Sequence, residues 1–455
     1  MNQCEPDAAS RRDRRLALGI ALLAFVIYNA NFRDISVGDT LPARFLPLAL
    51  LHYGTLYLDP LYDAARWNRD HPYWLTRPGG HWVSNYPVVT PVLAMPFYLP
   101  AVAYLDYRDR WHDVRVVQVL AELSDKLAAS AVAAICAGLM FWLLRSRVPS
   151  LSRARALWLT AAFALGTETW AISSQALWQH GTAELLLLLA LLAVTRDLTP
   201  GALVLAGSAA GLVIANRFFD ALLAASFAAY LLLRVRPLPR ALWFFVPAGA
   251  WIALVVAYHL AVFGNLGGGY ELLIRHAPPA LSSFPFWPGI AGQLVSPGKG
   301  LFVYCPFLLL LVFHGRRALA EPYRRLAICL ALGAATLPLI YAKADWTGGW
   351  SYGPRYSTDM LPILIWLLAP VVASLGSRGF GLFAAATLFA IYVQAVGAFC
   401  YPNGRSDAWT GQMKVWNPVK APFLVEARAG LATPFLLDML RGGPAALRKP
   451  AWPPL

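Results

Sequence analysis

The sequence predicts an all-α polytopic membrane protein, and three observations carry that expectation. Hydrophobic residues make up 58% of the 455 positions and charged residues only 14%, with a mean hydropathy of +0.52, which leaves too little polar surface for a water-soluble domain. Apolar stretches near bilayer length recur along the chain, a crossing helix needing about 20 residues. Arginines gather in short segments between alternate pairs of these stretches, as they do in cytoplasmic loops.

The elements follow in chain order. Arg11, Arg12, Arg14 and Arg15 precede the first stretch, Leu16 to Asn31. Tyr28-Asn29-Ala30 is a poor small-residue cleavage site, so this reads as an uncleaved first helix with a cytoplasmic N-terminus. Further spans are expected from Val119 to Leu144, Ala156 to Ile172, Trp178 to Val194, Leu203 to Ala215, Phe218 to Leu233 and Leu242 to Val262. The last four run from Leu301 to Phe313, Leu326 to Tyr341, Leu361 to Ala373 and Phe380 to Ala398. Pro87 to Tyr104 is apolar too, but Pro87, Pro91, Pro96 and Pro100 each remove a backbone donor and favour a broken, re-entrant or surface-lying segment. Excluding it from the crossings puts the loops of Arg145 to Arg155, Arg234 to Arg240 and Arg316 to Arg325, with Arg378, all on the cytoplasmic side. The expectation is about eleven crossings, N-terminus in and C-terminus out.

With that orientation a transmembrane domain covers 1–400, and the long polar connections fall outside. These are a first outer loop within 32–118, with juxtamembrane and re-entrant segments, outer loops at 264–300 and 343–359, and a short irregular tail at 401–455. The stretch from Leu41 to Leu58 looks like an amphipathic helix lying on the membrane. The net charge of +14 is accounted for by cytoplasmic arginines rather than nucleic acid. Cys4, Cys136, Cys305, Cys329 and Cys400 are scattered, with neither a disulfide framework nor metal-ligand spacing. Zinc-protease helices are also absent from the sequence.

Four groups of residues could carry chemistry. Asp39, in Gly38-Asp39-Thr40, sets a carboxylate at a membrane surface, where it could accept the proton of an attacking hydroxyl. Helix capping by Asp39 or Thr40 accounts for the same residues. Gly348-Gly349-Trp350-Ser351-Tyr352-Gly353-Pro354-Arg355-Tyr356 sets one arginine among glycines and aromatics, which suits an anion gripped by guanidinium. An Arg355 to Asp359 pair inside a tight loop is the structural alternative. Gly298-Lys299-Gly300 lacks P-loop spacing, and either a lysine on a membrane-borne phosphate or an interfacial anchor fits it. Polar residues near helix ends, among them Asp125, Lys126, Glu168, His180, Glu184, Arg217 and Asp220, outline an outward-facing cavity, although each alone suits a structural ion pair. Arg44, Tyr86, Trp350, Tyr352 and Tyr356 complete the candidate lining.

On Gly38-Asp39, Asn85-Tyr86-Pro87-Val88-Val89-Thr90-Pro91 and the glycine-rich stretch ending at Tyr356, the chain resembles the GT-C superfamily of integral-membrane glycosyltransferases, including protein mannosyltransferase and aminoarabinose transferase relatives. The resemblance implies a hexosyl- or pentosyltransferase of a bacterial inner membrane, active on the periplasmic face. It further implies a polyprenyl-phosphate-sugar donor and an envelope glycan, lipid or protein acceptor, in contact with membrane lipids. Asp39 would be the catalytic acidic residue, acting as base or metal-associated group, and Arg355 with Lys299 or Arg217 would hold the donor phosphate. The absence of an Asp-x-Asp pair leaves a divalent cation, Mg or Mn, open. A lipid-linked sugar flippase and a glycan ligase are the competing readings, the flippase opposed by the lack of paired broken repeats.

Overall fold

A computed structural model describes residues 5–66, 70, 72–275, 285–319, 321–343, 345–349, 351–402 and 415–436. Nearly all expected spans appear as helices. The first is α1 (Glu5–Asn29), which packs along α5 (Val114–Arg147). Between them come α2 (Leu41–Leu48), α3 (Tyr62–Ala65), the two-stranded antiparallel pair β1 (Leu75–Thr76) and β2 (Val83–Ser84), and α4 (Val89–Arg108). Next are α6 (Arg153–Leu165), α7 (Gln179–Val194), α8 (Pro200–Asn216), α9 (Ala221–Arg234) and α10 (Leu242–Phe263). Short α11 (Gly268–Arg275), α12 (Phe286–Val295), α13 (Leu301–Tyr304) and α14 (Leu309–His314) precede α15 (Arg324–Tyr341), α16 (Leu361–Ala373) and α17 (Ser377–Phe399). A last helix, α18 (Pro422–Ala429), packs on α17, so the described part of the tail holds a helix where an irregular cap was expected.

Among the described residues six helices are long and apolar enough to cross a membrane by length and composition: Val89–Arg108, Val114–Arg147, Leu238–Phe263, Arg324–Tyr341, Arg355–Ala373 and Ser377–Phe399. Several other expected spans fold as shorter helices, such as the 13 residues of α6 and 16 of α7. The Leu301 to Phe313 run is interrupted at Cys305-Pro306, where a 3-10 turn replaces the helix. Leu254, Leu332 and Leu382 point outward and are at least 60% exposed, which suits lipid contact. At Gly207 and Gly211, α8 lies directly against the α10 backbone, and a β-carbon on Gly211 would sit 2.6 Å from the Ala248 carbonyl oxygen. Small residues at such a seam let two membrane helices touch.

Two expectations about the first loop are corrected. The proline-rich segment is one unbroken helix of 20 residues, α4. Pro91 falls in its first turn, where a backbone N–H has no helical partner. Pro96 and Pro100 lie four apart on an exposed face, with Val92, so the carbonyls they leave unbonded share one side of the helix. The segment after Leu41 is not amphipathic: all eight residues of α2 are buried, wedged between α4 and α5. At 34 residues α5 is about 51 Å long, well beyond a hydrocarbon core of about 30 Å. It therefore supplies a wall for both α1 and the first-loop helices.

Chain direction defines the two ends of the bundle. At one end Asp13 of α1 accepts from Arg145 at 3.0 Å and Arg153 at 2.9 Å, joining α1, α5 and α6. The opposite end gathers the start of α7, the end of α8, the start of α9 and the end of α15 around the first loop.

Candidate active site

Asp39 lies in a 3-10 turn, Gly38–Thr40, that leads into α2. Thr40 closes this turn by bonding Val37, while the Asp39 side chain caps nothing. Its carboxylate is therefore available and accepts three bonds: from the Tyr73 hydroxyl at 2.7 Å, the Tyr86 hydroxyl at 2.8 Å and Arg355 Nη1 at 2.7 Å. Tyr73 reaches it because residue 38 is glycine, where a β-carbon would lie 2.5 Å from the tyrosine hydroxyl. Burial alone would raise the Asp39 pKa, but Arg355 and the two hydroxyls hold it below the ordinary carboxylate value. Burial and the Asp39 charge push the pKa of Tyr73 and of Tyr86 upward, so both remain donors.

Arg355 comes from the other end of the sequence, 316 positions away. It follows a loop in which Gly348, Gly349 and Gly353 have φ of +68°, +59° and +63°, a region that disfavours other residues. Lys299 holds this loop through bonds from Nζ to the Ser351 carbonyl, to Gly349 O at 3.2 Å and to Ser351 Oγ at 3.3 Å. Lys299, a candidate phosphate ligand in the sequence, here directs its donors to residues 349 and 351 of its own protein and positions the loop. Burial and the neighbouring Arg355 cation push the Lys299 pKa well below the ordinary lysine value. The Arg355 guanidinium lies 4.7 Å from the Trp178 ring centre and 5.1 Å from that of Tyr356. Its Nε is buried without a partner.

Gly353 offers a direct test of the loop geometry. Besides its positive φ, a β-carbon there would lie 3.0 Å from the Tyr304 ring and 3.1 Å from Glu168. Gly353→Ala is expected to cost about 1–3 kcal/mol, read as a lowered unfolding temperature in detergent; an unchanged temperature would show that the loop accommodates the methyl group.

A second polar cluster lies behind this one. Arg217 Nε is 3.0 Å from Asp359 and 3.5 Å from Asp220, and its Nη2 donates to the Tyr341 hydroxyl. His180 Nδ1 meets the other Asp359 oxygen at 2.8 Å. Arg217 is thus flanked by two carboxylates. Asp359 pairs with Arg217 and His180 rather than with Arg355. Tyr341 stacks on Tyr356 at 4.0 Å and 3°, joining the two arginine sites through aromatic rings. Phe219 and Tyr270 extend the wall, with Tyr270 edge-on to Tyr86 at 5.6 Å and to Phe219 at 5.9 Å.

Other candidates belong elsewhere. Arg44 and Asp125 are fully buried, and Arg44 pairs with Asp34, with Asp125 at 2.8 Å and with Glu122 at 3.4 Å. Lys126 bonds Gln175 Oε1 at 2.7 Å. These residues tie α2 to α5 and the 174–178 turn, a correction to their expected cavity-lining role. Glu184 does not join His180 but accepts from Thr169 at 2.7 Å. Tyr352 is a core residue bonded to the Val393 carbonyl at 2.6 Å, again not a lining residue. Trp350 lies outside the described residues. Tyr86 and Tyr356 do flank the Asp39 to Arg355 pair. Tyr73, Trp178, Phe219 and Tyr270 escaped the sequence reading because aromatics at a membrane interface are common without any site. Among the described residues no three His, Cys, Asp or Glu side chains form a group that could hold a metal ion.

No family model and no curated protein matches the chain. Among solved structures it is similar to the apo crystal structure of ArnT from Cupriavidus metallidurans, with a TM-score of 0.49 and 16% identity over 95% of this chain and 73% of that one.

Proposed function

We propose that the protein is a membrane glycosyltransferase that moves a sugar from a polyprenyl-phosphate donor to a hydroxyl acceptor at the extracytoplasmic face of a bacterial inner membrane. The proposed topology has about eleven crossings, N-terminus inside and C-terminus outside. The observation that carries the reading is the 2.7 Å pairing of Asp39 with Arg355 beside aromatic rings. An oxyanion-gripping cation and a carboxylate stand together where aromatic faces can receive a sugar.

The chemistry balances without a nucleotide. The acceptor hydroxyl attacks the anomeric carbon as its proton passes to Asp39, the new glycosidic C–O bond forms, and the bond to the phosphate oxygen breaks. The electron pair leaves with polyprenyl phosphate, whose added charge Arg355 stabilises. In the resting geometry Arg355 holds the Asp39 pKa low, which makes Asp39 a weak base. A donor phosphate sharing the guanidinium, whose Nε is free of a protein partner, would weaken the hold on Asp39 and raise its basicity. Donor binding would thereby switch on the base. Arg217, behind the Tyr341 and Tyr356 stack, supplies longer-range positive charge, and Lys299 keeps the Arg355 loop in place. The described residues around Asp39 include no group of three His, Cys, Asp or Glu side chains that could hold a metal ion.

Reconstituted liposomes carrying labelled polyprenyl-phosphate sugars test the function. Donor consumption is expected only when an acceptor is added, with release of polyprenyl phosphate. Movement of the labelled lipid between leaflets without acceptor, and no release, would mark a flippase and sink the transferase reading.

A further inference from the structure

A cavity of about 1080 Å³ lies at the end of the bundle opposite Asp39. It opens where α5, α7 and α9 end and where α8 and α15 begin. The same α7, α8, α9 and α15 carry Asp39-site residues at their other ends, so the two sites are separated by about 24 Å, the length of the 16-residue α7. Arg147, Arg196, Arg234, Arg236 and Arg240 line the cavity, against one carboxylate, Asp197. Five cations less one anion leave a formal excess of four positive charges.

Arg196, Arg234, Arg236 and Arg240 are exposed, as arginines at helix ends ordinarily are, but all five line one cavity. Arg240 Nη2 donates to Leu198 O at 2.7 Å, and Arg236 Nη1 donates to Leu232 O at 2.7 Å and Val235 O at 2.8 Å. These bonds fix guanidinium groups at the cavity without neutralising them. Arg147 Nε is buried and has no hydrogen-bond partner. The wall also includes Tyr230 and Leu205, and Leu205 is 43% exposed on the outer side of α8. Positive charge for a phosphate therefore adjoins an apolar surface that can receive an acyl chain.

We propose that this cavity binds the phosphate head group of an anionic phospholipid, with its chains lying along the outside of α8. Basic pockets between membrane helices recognise such head groups through charge. The site stands independently of the proposed sugar transfer and serves as an anchor for this end of the bundle.

Native mass spectrometry of the full-length protein in detergent, titrated with dioleoyl-phosphatidylglycerol or dioleoyl-phosphatidylcholine, tests the proposal. Preferential retention of phosphatidylglycerol is expected, and Arg234→Gln with Arg240→Gln should weaken it by about tenfold or more. Gly201→Trp provides a second variant that keeps every charge: Gly201 lines the cavity, and a β-carbon there meets nothing within 4 Å. Its indole should obstruct the cavity and reduce retention while the unfolding temperature stays near that of the parent. Equal retention of the two lipids, or undiminished phosphatidylglycerol binding in Gly201→Trp, would overturn the proposal. Displacement of the lipid by millimolar inorganic phosphate would also overturn it, marking a small-anion site instead.

Discussion

Asp39→Asn is expected to lower sugar transfer by about 10²–10⁴-fold, the range of a lost general base, while the protein folds at a similar temperature. Asparagine keeps an acceptor oxygen for Tyr73 and Tyr86, so the local geometry has a route to survive. The Asp39 side chain is 23% exposed, and a partly solvated ion pair contributes about 1 kcal/mol or less. Chemistry and stability should therefore separate in this variant. Because the folded-state pKa of Asp39 is depressed, its contribution to stability is present above the unfolded value of about 3.9 and is lost only as pH falls through the folded value. The difference in unfolding temperature between parent and Asp39→Asn should stay constant from about pH 8 to 5 and shrink below about pH 4. Near-parental turnover in Asp39→Asn would remove Asp39 from the base role; a temperature difference that closes above pH 5 would show that the carboxylate is not held low.

The helices were legible because a membrane span is a local signal: one stretch of chain bonds its own backbone, and composition with length is enough to find it. That logic located α16 to the residue, Leu361–Ala373, yet it misread α4, where the prolines were counted without knowing that Pro96 and Pro100 share one exposed face. It also misread Leu301 to Phe313, whose apolarity hid the interruption at Cys305-Pro306. Asp39 and Arg355 were each legible as charges at an interface, but their pairing across 316 positions was not. Sequence proximity suggested Asp359 for Arg355, whereas the fold gives Asp359 to Arg217 and His180. Lys299 shows the same limit in another form, since a lysine between glycines reads alike whether it binds a ligand or the backbone of its own protein.

Arg44→Ala should produce the largest loss of stability, about 3–5 kcal/mol, because removing one partner from a buried ionic group leaves charge uncompensated. Arg44 is fully buried, and its guanidinium meets Asp34, Asp125 at 2.8 Å and Glu122 at 3.4 Å. Burial alone would lower its pKa, but the three carboxylates hold it above the ordinary arginine value. Asp34 responds in the opposite sense to its surroundings: burial raises its pKa well above the ordinary value even though Arg44 pulls it down. Without Arg44 that restraint disappears, and Asp34 retains a proton to still higher pH in the folded state than in the unfolded one. The folded variant then binds more protons, so its stability falls as pH rises. Its deficit against the parent should be greatest near pH 8 and diminish toward pH 5, a dependence measurable from unfolding temperatures in detergent. Arg44→Met, which fills the space but leaves the same three acids, should show the same pH dependence with a smaller packing loss. A deficit independent of pH in both variants would mean that Arg44 holds α2 to α5 by packing alone. Either result bears on Asp39, since α2 begins two residues beyond it and the buried network is what fixes that helix against α5.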